Sequence, residues 1–244
     1  MVISTVSGST AQDRKSKWDI SVSYGLALPV GDFKQTAPAK NMEVIPSSPS
    51  GQIYYSVYGI AKDGNSYATN GQFGALDLNY RIGSHWLVAL AVHHSRNSVD
   101  AHSFYNYANT LLIAKVAMIS NNDYNVTAWS VGFGYRFNHK RLQLKLTPVI
   151  GQANISSPDY IFEWYTYPFF FDVTKLSNSL LLGLHGNIGY NFGSRVYTSV
   201  KVDFDAANFD YTVKVHSPGI NFRFQDDTIT YRLLKIGLAL GIQF

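Results

Sequence analysis

Apolar residues recur at every second position over long stretches of this chain. In Ile229–Phe244, Leu234, Ile236, Leu238, Leu240, Ile242 and Phe244 fall on one face, while Lys235, Gly237, Ala239, Gly241 and Gln243 fall on the other. A period of two is the signature of a β-strand, because successive side chains point to opposite sides of the backbone. Seven more stretches repeat the pattern. Trp18, Ile20, Val22, Tyr24, Leu26 and Leu28 alternate with Asp19, Ser21, Ser23, Gly25 and Ala27 over 17–30, and Leu76, Leu78, Tyr80 and Ile82 with Ala75, Asp77, Asn79 and Arg81 over 71–82. The same alternation predicts strands over 85–97 (Trp86, Val88, Leu90, Val92), 124–137 (Trp129, Val131, Phe133, Tyr135, Phe137) and 141–155 (Leu142, Leu144, Leu146, Ile150). Two further strands are predicted over 179–192 (Leu180, Leu182, Leu184, Ile188, Tyr190, Phe192) and 195–206 (Val196, Val200, Val202, Phe204).

The connections alternate in length. Long stretches over 31–70, 98–123, 156–175 and 207–228 are expected as loops, the first with an extended hairpin arm over 52–60; short turns fall at Gly83-Ser84, Asn138-His139-Lys140 and Gly193-Ser194. Eight strands with this rhythm form an antiparallel up-and-down barrel. Composition decides which solvent the apolar face meets. Aromatic residues make up 15% of the 244 and charged residues only 15%, well below the share in average soluble domains. The face opposite the apolar one is rich in Gly, Ala and Ser, which does not suit a solvated surface. A soluble barrel would put the apolar face inside; this composition favours apolar outside. No run of 18 apolar residues is present, so a spanning helix is excluded and a closed barrel is the structure left for a membrane protein. The eleven alternating residues 234–244 match the roughly 9–11 that a tilted strand needs to cross.

The chain has no Cys, so neither disulfides nor thiolate chemistry is available. A net charge of +4, scattered along the chain, gives no nucleic-acid footprint. Residues 1–16, which begin MVISTVSGSTAQ, are expected to be a signal-peptide remnant or a flexible segment, and 17–244 the barrel.

Ending on Leu240, Ile242 and Phe244, the last strand resembles the closing strand of bacterial outer-membrane β-barrels, and the whole architecture resembles the small eight-stranded group typified by the OmpA membrane domain, OmpX and OmpW. The resemblance implies an outer-membrane location with periplasmic termini and short periplasmic turns. It further implies long extracellular loops, contact with outer-membrane lipid and lipopolysaccharide, and a terminal strand read as a signal by the barrel-assembly machinery. Trp18, Tyr80, Trp86, Tyr135, Phe137, Tyr190, Phe192 and Phe244 would then form the periplasmic aromatic girdle.

With the apolar face outward, Asp19, Asp77, Arg81, His93, Arg136, Lys145, His185, Lys201, Asp203, Asp205 and Lys235 face the lumen. An eight-stranded barrel is just wide enough for side chains to fill, so these charges are expected to pair into a plug; a narrow polar channel is the alternative. Lipid A deacylases of similar size carry a His-x-Ser pair, matched here only by His93-His94-Ser95, which the register turns inward, away from lipid. No metal-ligand spacing or phosphate-binding loop occurs, and neither a catalytic residue nor a cofactor is assigned.

The third loop is distinctive. Tyr160, Phe162, Trp164, Tyr165, Tyr167, Phe169, Phe170 and Phe171 make eight of twelve consecutive residues aromatic. Such density marks a docking surface, or else loops that pack on themselves or flanking strands that extend outward with an aromatic belt at the lipopolysaccharide level. The expected function is non-enzymatic: a binding or scaffold protein that presents these loops to a protein partner, alone or as a subunit of a larger outer-membrane complex. The alternatives are a narrow pore for small or hydrophobic solutes, or a lipid A-modifying enzyme.

Overall fold

The computed structural model describes residues 17–34, 67–100, 102, 123–156, 160–164, 167–176, 178–193, 195–217 and 220–244, with backbone alone at 160–176, 213–217 and 220–227. Ten strands run in chain order: β1 (Trp18–Pro29), β2 (Gly71–Ile82), β3 (Trp86–Asn97), β4 (Tyr124–His139), β5 (Leu142–Ser156), β6 (Tyr160–Trp164), β7 (Tyr167–Leu176), β8 (Ser179–Asn191), β9 (Val196–Ser217) and β10 (Ile220–Gln243). Eight of them close a ring in the order β10-β1-β2-β3-β4-β5-β8-β9 and back to β10, every pairing antiparallel. The eight-stranded up-and-down barrel expected from the alternation is the architecture found.

Closure brings the two ends of the ring together. β1 and β10 pair from Asp19↔Gln243 to Pro29↔Leu233, and Trp18 and Phe244 exchange backbone hydrogen bonds of 3.0 and 2.9 Å. No ladder edge is left around the barrel, which is the condition for placing strands in hydrocarbon. The expected faces hold. Val22, Leu238 and Ile188 are 62%, 68% and 62% exposed on the outer wall, while Asp19, Lys235 and Asp205 are fully buried inside.

The short connections lie at one end, here termed the turn end. β2 and β3 are joined through 83–85, with Gly83 at φ +72°; β4 and β5 join more tightly than expected, through Lys140 and Arg141 alone, with Lys140 at φ +53°. The 52–60 arm expected in the first loop lies outside the described residues.

Two expected loops are strand. Residues of the 207–228 stretch belong to β9 and β10, which pair from Ile242↔Val196 up to Ile220↔Ser217. Within 156–175, β6 pairs with β7, and β7 pairs with the upper end of β9 from Leu176↔Tyr211 to Phe170↔His216. β9 runs 22 residues and β10 24. At about 3.3 Å per residue and a tilt near 40°, ~22 residues rise about 55 Å, roughly twice a ~25 Å apolar band. A four-stranded sheet, β6-β7-β9-β10, therefore stands beyond one side of the barrel rim, at the loop end.

The reason these segments escape a single-phase reading is visible in their burial. Near the loop end the pattern inverts. On β9 and β10, Phe209, Tyr211, Ile229, Tyr231 and Leu233 are buried inside, while Asn208, Asp210 and Arg232 are exposed outside. On β4, Tyr124 and Val126 point in and Thr127 points out, opposite in sense to Trp129, Val131 and Phe133 nearer the turn end. Neighbouring apolar pairs, Leu233-Leu234 on β10 and Ala128-Trp129 on β4, mark the change of phase. The outer wall passes from apolar to polar there because its surroundings pass from lipid to water.

Candidate functional site

Two regions hold the candidate residues: the lumen and the sheet beyond the loop end. In the lumen, alternation sends every second residue of each strand inward, and the small residues among them leave room for large ones opposite. Gly237 has Phe73 against it, since a Cβ there would sit 2.9 Å from the ring, and Gly241 has the Tyr197 ring where a Cβ would come within 2.2 Å. Those two glycines let aromatic rings approach the wall closely.

Asp19 centres the layer nearest the turn end. Lys145 Nζ donates to its Oδ1 at 2.7 Å, Asn79 Nδ2 at 2.8 Å and the Tyr197 hydroxyl at 3.0 Å, while Arg81 Nη2 lies 3.9 Å from Oδ2. β1 and β5 are four strands apart in either direction round the ring, so the Asp19–Lys145 pair spans a diameter. Arg136 completes this floor by donating to Gln143 Oε1 at 2.8 Å and Asn138 Oδ1 at 2.9 Å.

A second layer lies toward the loop end. Lys201 Nζ donates to both carboxylate oxygens of Asp77 at 2.6 Å and lies 3.3 Å from Asp203 Oδ2. Lys235 Nζ is 2.5 Å from Asp205 Oδ2 and 3.7 Å from Asp203 Oδ2. These Lys235 contacts are charge pairs without hydrogen-bond alignment. His185 Nε2 lies 3.1 Å from Asp205 Oδ1, and His93 Nε2, from the opposite wall, 3.3 Å from Asp205 Oδ2. Five cations thus face four carboxylates with two imidazoles among them, and pairs reach across the lumen at both levels. A charge buried in so narrow a space is tolerated only when paired.

The third layer, at the loop end, is apolar, and sequence reasoning missed it. A 3-10 turn over Gly31–Phe33 folds Phe33 into the barrel mouth. Its ring lies 5.3 Å from that of Tyr124 and 5.1 Å from that of Tyr231, both edge-on. Phe209, Leu181, Leu233, Ile155 and Val126 pack around them. Buried apolar positions of inverted phase on β4, β9 and β10 were the signal that could have revealed it.

His93 and Ser95 both face this packed interior. His93 nitrogens make no hydrogen bond, and Ser95 Oγ lies 3.4 Å from the Tyr231 hydroxyl; His94 points outward to Thr127 Oγ1 at 2.9 Å. The arrangement gives a lipid-cleaving pair no access to lipid. Among the described residues, no group of His, Cys, Asp or Glu is placed to hold a metal ion.

Of the aromatic third-loop residues, Tyr160, Phe162 and Trp164 lie on β6, and Tyr167, Phe169, Phe170 and Phe171 on β7; Tyr165 lies outside the described residues. Leu240, Ile242 and Phe244 lie on the outer wall at the turn end, each at least half exposed.

A closed antiparallel ladder, an apolar outer band and a polar, packed lumen define a small eight-stranded transmembrane β-barrel. The same fold is found in the outer membrane protein OprG from Pseudomonas aeruginosa, at a TM-score of 0.52 and 12% identity over 94% of this chain and 98% of that one. Neisserial surface protein A is similar at a TM-score of 0.47 and 10% identity, covering 93% and 97%. Ail, the attachment invasion locus protein of Yersinia pestis, follows at 0.40 and 11%, covering 94% and 99%. No protein-family model and no curated protein matches the chain.

Proposed function

We propose that the protein resides in the bacterial outer membrane with its turn end and termini on the periplasmic side. There it acts as a non-enzymatic binding or scaffold protein through the sheet it raises beyond the loop end. The observation that carries this reading is the uneven length of the barrel wall. β6, β7, β9 and β10 extend past the apolar band, whereas β1 stops at Pro29 and β3 at Asn97. Strand length beyond the membrane adds nothing to spanning, and surfaces held on a rigid scaffold are where binding residues concentrate. Within that sheet, β6 has a single described neighbour, β7, and such an edge offers unpaired backbone groups to a partner. The aromatic residues of β6 and β7 are of the kind that anchor protein interfaces.

The filled lumen argues against conduction as the primary role. Ion movement would require the Asp19–Lys145 and His93–Asp205 contacts to part together with the Phe33 stopper. Purification of tagged protein from its native membrane in gentle detergent, beside a variant with Trp164→Ser, Tyr165→Ser and Phe169→Ser, tests the reading. A stoichiometric partner lost only from the variant is expected. Recovery of the same partner with the variant, or unitary conductance of the wild type in planar bilayers with no partner, would overturn it.

A further inference from the structure

The turn end carries a ring of basic side chains. Lys17 precedes β1, His85 lies in the β2–β3 turn, His139, Lys140 and Arg141 lie at the β4–β5 turn, and Arg195 lies in the β8–β9 turn. All six are exposed. Among the described residues of this end the one acidic side chain is Asp19, which is buried and paired with Lys145. The loop end is different: Asp32, Asp100, Asp123 and Asp210 accompany Lys34, Arg96 and Arg232. The asymmetry is therefore a property of one rim and not of the chain as a whole.

Two features fix the height of this ring. Each of these residues lies within a few positions of the outward aromatic girdle that includes Trp18, Trp86 and Tyr190, the level at which aromatic side chains meet lipid headgroups. Arg141 Nη1 also donates to the Tyr190 hydroxyl at 3.2 Å, which holds the guanidinium at that level. Lys140 occupies a backbone conformation, φ +53°, that glycine or asparagine adopts more readily. A cation stands there all the same.

We infer that the turn-end rim is a binding surface for anionic phospholipid headgroups, with Lys140, Arg141 and Arg195 as its principal phosphate contacts. The distribution selects lipid over an acidic protein. The lysines and arginines stand at the start of β1 and in the β4–β5 and β8–β9 turns, on separate parts of the rim where an annulus of lipid would meet them all, whereas a protein partner would meet a patch on one side. Juxtamembrane basic residues attract anionic headgroups, and the attraction fades within a Debye length, so it is sensitive to salt. The inference goes beyond the binding role of the loop-end sheet and does not depend on it.

Native mass spectrometry of the intact protein in detergent tests the assignment. The protein is mixed with equal amounts of phosphatidylglycerol and phosphatidylcholine of the same acyl chains, at low and high salt. The wild type is expected to retain phosphatidylglycerol in excess, on the order of ten-fold at low salt and less at high salt. Lys140→Gln, Arg141→Gln and Arg195→Gln combined should bring the two lipids close to parity. Arg232→Gln, at the loop end, should leave the excess unchanged. Both variants are compared only after their folded state has been verified by heat-modified gel mobility. Parity in the wild type would overturn the inference and leave an acidic protein surface as the partner to seek. An undiminished excess in the triple variant, or an equal loss in Arg232→Gln, would overturn it as well.

Discussion

The membrane-spanning section and the section above it are built from the same strands with opposite polarity. Along β10, Leu234, Ile236, Leu238 and Leu240 face outward around a core that contains Lys235; a few residues earlier, Ile229, Tyr231 and Leu233 face inward beneath a polar exterior. The lower section puts charge inside because lipid takes the apolar side. The upper section behaves as a soluble barrel does, with an aromatic core around Phe33 and Phe209. Pairing holds the first interior together and packing the second. The two should therefore fail differently when altered.

The largest effect is expected from Asp205→Ala. It leaves Lys235, His185 and His93 facing a lost carboxylate, and stranding buried charge destabilises by about 3–5 kcal/mol. Urea unfolding from lipid vesicles, followed by Trp fluorescence, measures it. Phe209→Ala, in the apolar section, should lower stability by about 3 kcal/mol through a cavity, with no dependence on salt. Were Phe209→Ala nearly neutral, the apolar layer would be loosely packed and the contrast would weaken.

Outward substitutions sharpen the comparison. Leu238→Arg places a cation on the lipid face near mid-strand and should lower stability by about 2–4 kcal/mol in vesicles. Asn208→Arg, also outward but above the change of phase, should stay within about 0.5 kcal/mol of wild type. Equal effects at the two positions would remove the boundary.

How far the sequence could be read follows from the same boundary. Where lipid lies outside, alternation has one phase and high contrast. Trp18 to Leu28 and Leu234 to Phe244 could therefore be assigned strand by strand, with Asp19, Asp77, Lys201 and Lys235 placed inside. Which charge meets which was not legible, because Asp19–Lys145 and His93–Asp205 cross the barrel between strands distant in sequence. Above the boundary the alternation persists with its faces exchanged. Asn208, Asp210 and Thr228 on the outside gave residues 207–228 the composition of a loop, although Phe209, Tyr211 and Ile229 kept the strand period. Phe33 was hidden for another reason: a single aromatic residue after Gly31 and Asp32 carries no periodicity.

The absence of Cys from the chain permits a direct test of the boundary. Leu238→Cys and Asn208→Cys would be introduced singly, reconstituted in vesicles, and exposed on both sides to a membrane-impermeant maleimide. Rapid labelling at 208 with protection at 238 is the expected result. Labelling of both positions at the same rate would contradict a lipid-facing lower wall beneath a water-facing upper one.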